Sequence, residues 1–270
     1  MLKGRVAIIT GAGRGIGQAT ADLFSRQGAS VVVCDIDSTP CQDTVTSILE
    51  QGGMAVPCVG DVLEDGFAQK AIDTAVKAFE SGVDIIVNNA GYGGKGFVDE
   101  TSDSFWGNML DINTTAPFRL IRAVTPLMKQ SAKSELEAGK TPVCRKIINV
   151  SSIAGTDGLV ASAAYATSKA AIEGLTRSVA KDLGHFNICV NAVSFGLIKT
   201  RLSRPIEANK VEHVGEKVMG FPAKFLNHMV GLTPLGRVGT VEEAAGAILM
   251  LASPYADFIT GQVLKVSGGL

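Results

Sequence analysis

The chain has 270 residues, 46% of them hydrophobic and 19% charged, a composition that excludes intrinsic disorder. A chain of this size can bury about three-quarters of its extended surface, so it needs no disulfide or metal as a staple. With 25 basic against 26 acidic residues the net charge is −1, and nothing in that balance favours nucleic acid or an anionic membrane surface as a partner.

Five cysteines (Cys34, Cys41, Cys58, Cys144 and Cys189) form no C-x-x-C pair, and the three histidines show no H-E-x-x-H pattern. No metal site is therefore expected, and reduced thiols in a cytoplasmic protein are the plainer reading. No apolar run approaches the roughly 18 residues of a membrane span. The opening MLKGRVAIIT carries too short an apolar stretch for a signal-peptide core and reads as the first strand of the fold.

Short β-rich runs then alternate with longer helical patterns. Residues 6–10 (VAIIT) predict a buried strand, followed by a glycine turn and a helix over about 15–27. Residues 30–34 predict a second strand ending at Asp35, with a helix to about residue 50. Residues 55–59 predict the third strand, 65–80 a helix, 83–88 the fourth strand, and 101–129 two helical stretches. Residues 146–151 read as strand five, 163–184 as a long helix, 187–193 as strand six, 242–251 as a helix and 262–266 as a last strand. Continuous rather than alternating apolar runs mean strands covered on both faces. The fold class predicted is α/β: one doubly wound parallel sheet in three layers.

Two segments break the alternation. Residues 130–142 are polar and read as a solvated helix extension and loop. Residues 197–234 are far longer than a usual βα connection, and such segments tend to be lids or binding loops. This one carries Met219, Phe221, Phe225 and Met229, which either pack on the body or close over something apolar.

Between the first strand and first helix stands Thr10-Gly11-Ala12-Gly13-Arg14-Gly15-Ile16-Gly17. Glycines there permit positive φ and close approach of backbone to a pyrophosphate. The helix N-terminus adds free N–H groups and a positive dipole end. Asp35, ending strand two, can accept hydrogen bonds from both ribose hydroxyls of adenosine and repels a 2′-phosphate. Arg14 is the counter-argument, since it could meet that phosphate. NAD is favoured, with NADP as the alternative.

With these residues placed, the chain resembles a short-chain dehydrogenase/reductase of the single-domain branch, similar to 3-oxoacyl reductase-like members. The resemblance rests on T-G-x-x-x-G-x-G at Thr10–Gly17, Asn88-Asn89-Ala90-Gly91, Asn113, N-V-S-S at Asn149–Ser152, and Tyr165-x-x-x-Lys169. It runs essentially end to end and implies one Rossmann-type domain over 1–270, with a substrate loop at about 197–234. Tyr165 and Lys169, four apart, share a helix face. A nearby ammonium and a positive nicotinamide ring would favour the phenolate, making Tyr165 general base in oxidation and general acid in reduction.

Ser152 can support charge developing on the substrate oxygen. By the resemblance, Asn113 holds a water that links Lys169 to solvent, and Lys169 hydrogen-bonds the nicotinamide ribose. The same carry-over puts Ile16 at the glycine turn, Asp61 and Val62 at the adenine, and Asn89 and Gly91 along the ribose and pyrophosphate. Gly196, Ile198 and Thr200 would hold the nicotinamide carboxamide and phosphate. Phe195 stands where the family has proline, a departure expected to loosen that turn or reshape the nicotinamide edge.

The expected function is hydride transfer between a nicotinamide cofactor and a hydrophobic secondary alcohol or ketone, in a homotetramer. The alternatives are an NADPH-dependent reductase of 3-oxoacyl thioesters and, further off, a non-catalytic NAD-binding sensor. An epimerase or dehydratase is disfavoured by Arg14 in the glycine turn and by the missing substrate domain. Candidate substrate-pocket residues are Tyr92, Gly93, Gly94, Phe97, Ala154, Leu159 and the apolar residues of the long loop.

Overall fold

A computed structural model describes residues 1–203, 213–214, 217–218 and 220–270. Seven strands form one all-parallel sheet in the order β3-β2-β1-β4-β5-β6-β9. They are β1 (Val6–Thr10), β2 (Ser30–Asp35), β3 (Met54–Val59), β4 (Ile85–Asn88), β5 (Arg145–Ser152), β6 (Ile188–Phe195) and β9 (Val263–Val266). A two-stranded antiparallel ribbon, β7 (His213–Val214) and β8 (Lys217–Val218), lies outside the sheet. The helices are α1 (Gly15–Arg26), α2 (Ser38–Glu50), α3 (Phe67–Phe79), α4 (Asp103–Leu110), α5 (Ala116–Glu137), α6 (Ile153–Asp157), α7 (Ala163–Leu183), α8 (Ala223–Leu232) and α9 (Val241–Ala252).

The predicted α/β architecture is the one found. Strand order reverses where β1 lies between β2 and β4, and α/β folds bind ligands at such a reversal, beyond the carboxyl ends of the strands. The central strands read as unbroken apolar runs because each face is covered. Ala7, Ile9, Val31 and Val33 point into one core with Phe24 and Ile248. Val6, Ile8, Val32 and Ile86 point into the other with Val124 and Ile147. Pro57 is tolerated because β3 is an edge strand.

Three expectations gain detail. The segment 130–142 is anchored as well as solvated: α5 continues to Glu137 with Ala132 buried, and the Glu135 carboxylate takes the Arg145 guanidinium at 2.7 Å. The long segment 197–234 contains a helix, α8, whose Leu226 is buried. Phe195 does not loosen its turn. It stays in β6, paired with Ser152 and Val266, and the Gly196 N–H donates to the Val266 carbonyl at 3.0 Å.

Among the described residues no helix is long and apolar enough to cross a membrane.

Candidate active site

The glycine turn after β1 is shaped by contacts that leave no room for a side chain. Gly11 and Gly15 have φ of +62° and +58°, a region costly for other residues. A Cβ on Gly17 would stand 2.1 Å from the Gly11 carbonyl oxygen and 2.5 Å from Asn89 Nδ2. That Asn89 amide donates to the carbonyls of Thr10 and Gly11 at 2.9 and 3.0 Å, while Thr10 Oγ1 accepts from the N–H groups of Asn89 and Ala90. The turn is thus tied to the end of β4. No side chain caps α1, so its first-turn N–H groups remain available to an anion.

Asp35 lies against this turn. Its Oδ2 accepts from the Gly13 N–H at 2.8 Å and its Oδ1 from the Asp37 N–H at 3.0 Å. Arg14, the counter-candidate for a 2′-phosphate, is ion-paired with the exposed Asp37. Asp61 Oδ1 accepts from the Leu63 N–H at 2.9 Å, and Val62 packs on the core cluster around Phe67 and Leu120.

Beyond β6, Thr200 lies over the turn, with its methyl 3.8 Å from where a Gly15 Cβ would be. Its N–H is held by Ser203 Oγ at 3.0 Å, and the Ser203 hydroxyl also donates to the Ile198 carbonyl. Gly196 must be small, because a Cβ there would come within 2.8 Å of Ser267 Cα.

The four predicted catalytic residues converge from three elements. Ser152 ends β5 and caps α6, accepting from the Ala154 N–H at 3.2 Å, which leaves its own proton free to donate. Tyr165 and Lys169 stand on α7, where Gly155 allows very close approach: a Cβ there would meet the Lys169 carbonyl carbon at 2.7 Å. Lys169 Nζ donates to the Val150 carbonyl at 2.9 Å, and burial lowers its pKa to about 8. Burial raises the pKa of Tyr165, while the Ser152 hydroxyl within hydrogen-bonding range works to lower it. In the chain alone Lys169 Nζ is turned to the Val150 carbonyl and lies 5.8 Å from the Tyr165 ring centre.

Asn113 sits in a widened π-helical turn, residues Asp111–Thr115, a device common at functional sites. Its amide donates to Tyr92 O and Ser168 Oγ, both at 3.1 Å, while its buried Oδ1 has no partner among the described residues. A Cβ on Gly91 would stand 2.4 Å from that oxygen and 3.7 Å from Lys169 Nζ. The unused acceptor and the ammonium therefore border the same small space.

Sequence reasoning missed a supporting layer. Ser151 Oγ contacts Glu173 Oε1 at 2.9 Å and the Lys169 carbonyl at 3.2 Å. Asn88 donates to Asn149, which donates to Thr176. The signal for Glu173 was its position four after Lys169 on the same helix face.

One cavity of about 850 Å³ runs past Ile16, Asn89 and Gly91 to Ser152 and Tyr165, then out beneath Phe221, Phe225 and Met229. The apolar residues of the long segment do close over it; Met219 lies outside the described residues. Tyr92, Gly93, Gly94, Ala154 and Leu159 line it as expected. Phe97 does not: its side chain is exposed, its carbonyl tied to Thr101 in a turn. Phe195 lines the cavity while its backbone stays paired within the sheet.

A family profile described as Enoyl-(Acyl carrier protein) reductase matches residues 11–270. The chain is 36% identical over 267 residues to an uncharacterized oxidoreductase of Thermotoga maritima, covering 99% of this chain and 97% of the relative. A solved 7α-hydroxysteroid dehydrogenase, complexed with NADH and 7-oxo glycochenodeoxycholic acid, superposes with a TM-score of 0.85 at 34% identity, covering 99% and 94% of the two chains. A 3-oxoacyl-(acyl-carrier protein) reductase with bound NAD from Brucella melitensis gives 0.81 at 32% identity, covering 99% and 91%. The ordered motifs, the sheet reversal at β1 and these full-length similarities agree: the chain belongs to the short-chain dehydrogenase/reductase family of oxidoreductases.

Proposed function

We propose that the protein transfers a hydride between NAD(H) and a hydrophobic secondary alcohol or ketone, with Tyr165 as the general acid and base. The observation that carries this reading is the meeting of the Ser152 and Tyr165 hydroxyls, the Lys169 ammonium and the unpartnered Asn113 oxygen at one cavity. The bound dinucleotide supplies the hydride acceptor or donor. The residues around it fit such a group, because no side chain caps α1, whose first-turn N–H groups stay open to a pyrophosphate, and the cavity runs on past Ile16, Asn89 and Gly91.

In this reading Asp35 accepts from the adenosine ribose hydroxyls and repels a 2′-phosphate, and Arg14 is already occupied by Asp37. That combination favours NAD. Asp61 and Val62 border the adenine; Gly11, Gly15, Ile16 and Gly17 carry the pyrophosphate. Asn89 and Gly91 line its path, and Gly196, Ile198 and Thr200 hold the nicotinamide end. Ser152 donates to the substrate oxygen, Tyr165 exchanges a proton with it, and Lys169 binds the nicotinamide ribose. Asn113 Oδ1 holds the water through which Lys169 reaches solvent. A lysine pKa of about 8 keeps the ammonium mainly charged at neutral pH.

Residues 1–270 act as one domain, with 197–234 as its substrate loop. The assembly is a homotetramer, supported by the exposed aromatic side chains Trp106 on α4 and Phe118 on α5, and by Tyr255 and Phe258 between α9 and β9. A second reading, reduction of a 3-oxoacyl thioester, draws support from the similarity to the Brucella reductase.

Tyr165→Phe tests the mechanism. Turnover of NADH with a panel of ketones should fall by about 10²–10⁴-fold, the usual worth of general acid–base work, while NADH affinity by fluorescence titration changes little. A variant that keeps more than about a tenth of wild-type turnover removes the tyrosine from the mechanism.

A further inference from the structure

The cavity is apolar over most of its wall, yet a cation besides Lys169, the Lys95 side chain, lines it. Lys95 Nζ lies 4.2 Å from the ring centre of Phe221 and 4.0 Å from that of Phe225. The two rings stack at 5.1 Å with 17° between their planes. Phe225 is on α8 and Phe221 just before it, and both line the same cavity as Lys95. Among the described residues no carboxylate is paired with Lys95. Asp157, the acid that also lines the cavity, is taken by Lys265 at 2.8 Å.

The root of Lys95 is fixed relative to the reacting centre. Gly93, two residues before it, lies flat on the Tyr165 ring: a Cβ there would be 3.6 Å from Tyr165 Cε2. Gly96, the residue after it, bridges to Ser162 and donates its N–H to the Ala161 carbonyl at 2.9 Å. Ser162 immediately precedes α7, which carries Tyr165. The lysine therefore cannot drift as a surface side chain on a loose loop does.

Aromatic faces attract an ammonium but leave its three N–H donors without a strong acceptor. Partial burial already lowers the Lys95 pKa, the mark of a charge that has lost water without gaining a counter-ion. An anion arriving between the rings and the solvent would supply what is missing.

We propose that Lys95 recognises an anionic tail on the substrate: the preferred substrate is an apolar ketone or alcohol carrying a carboxylate or phosphate at the end remote from the reacting carbon. Phe221, Phe225 and Met229 hold the body while Lys95 holds the tail. This rests on the oxidoreductase reading, and specifies the substrate class of the same cavity.

The probes are (ω−1)-oxo fatty acids of stepped chain length, each beside its methyl ester. Alongside them stand a 3-oxoacyl coenzyme A and the neutral N-acetylcysteamine thioester of the same acid. Wild-type kcat/KM with NADH should favour the charged member of one pair by about tenfold or more, as a charge-assisted hydrogen bond supplies. Preference in the acid/ester pair identifies a carboxylate, and in the thioester pair a phosphate. Lys95→Gln should bring that ratio to near unity, mainly through KM, and Lys95→Arg should restore most of it.

A wild type with no preference for charge in either pair overturns the proposal, as does a Lys95→Gln ratio equal to the wild type's, which would make the lysine only a latch on the cover. Calorimetric binding of the acids and esters separates the two readings. Acid binding that is stronger than ester binding and lost in Lys95→Gln, with no ketone reduced, keeps the anion site and removes the oxidoreductase reading. Ketone reduction without acid preference does the reverse.

Discussion

In the proposed reading one side chain, Asp35, serves the fold and the ligand together. Its Oδ2 takes the Gly13 N–H, which fixes the glycine turn, and the carboxylate stands at the end of β2. The sequence placed Asp35 correctly but could not show that Arg14 is bound to Asp37, because that pairing depends on how the turn after β2 folds back over α1. Asp35→Ala should therefore relax cofactor choice, lowering the ratio of kcat/KM with NADH to that with NADPH by about tenfold or more, as loss of roughly 1.4 kcal/mol of discrimination gives. Steady-state rates with both cofactors measure this, and a wild type that already prefers NADPH would overturn the assignment. The Tyr165 hydroxyl carries a related lesson. An i, i+4 lysine suggests a phenol held low, yet burial raises it in the chain alone, where the ammonium is directed at the Val150 carbonyl. The positive nicotinamide ring of a bound oxidised cofactor would add a further charge in favour of the phenolate.

At the scale of elements, the unit β1–turn–α1 is tightly specified. Gly17 faces the Gly11 carbonyl so closely that no side chain can be added without moving strand or helix. Gly17→Ala should lower the unfolding free energy by about 1–3 kcal/mol, the usual cost of overpacking, and weaken NADH binding by at least about tenfold. Thermal unfolding and calorimetric titration check the two effects separately; an unchanged Tm with unchanged affinity would mean that the turn yields freely. The long segment after β6 behaves differently. Its apolar residues predicted a cover, but α8 was not legible in a stretch interrupted by Gly220, Pro222 and Gly231. The helix owes its place to Leu226, buried beneath it, and to the Thr233 hydroxyl bonding back to the Met229 carbonyl.

For the whole molecule, the surface left by the three layers is uneven. Trp106 and Phe118 are exposed on neighbouring helices, and Tyr255 and Phe258 stand almost fully exposed near the sheet edge formed by β9. In the proposed homotetramer these two aromatic pairs supply the two different contacts that closed symmetry needs. Light scattering at micromolar concentration should report the mass of four chains, and Phe258→Asp should lower that mass toward a dimer. An active protein that is only monomeric would refute the assembly.

The sequence by itself determined the α/β class, the order of the seven sheet strands along the chain and the glycine turn; it nominated Tyr165 and Lys169 by their spacing, and Ser152 and Asn113 through the family resemblance. It could do so because each depends on local rules: apolar runs for covered strands, glycine where a Cβ cannot fit, and fixed spacing on a helix. Tertiary structure alone decided what meets across distance. It set Glu173 behind Ser151, left the Asn113 oxygen without a partner beside Lys169, turned Phe97 out of the cavity, and brought Lys95 onto Phe221 and Phe225. Those contacts join segments more than a hundred residues apart in the last case, and side-chain direction there follows from how the layers pack rather than from any spacing along the chain.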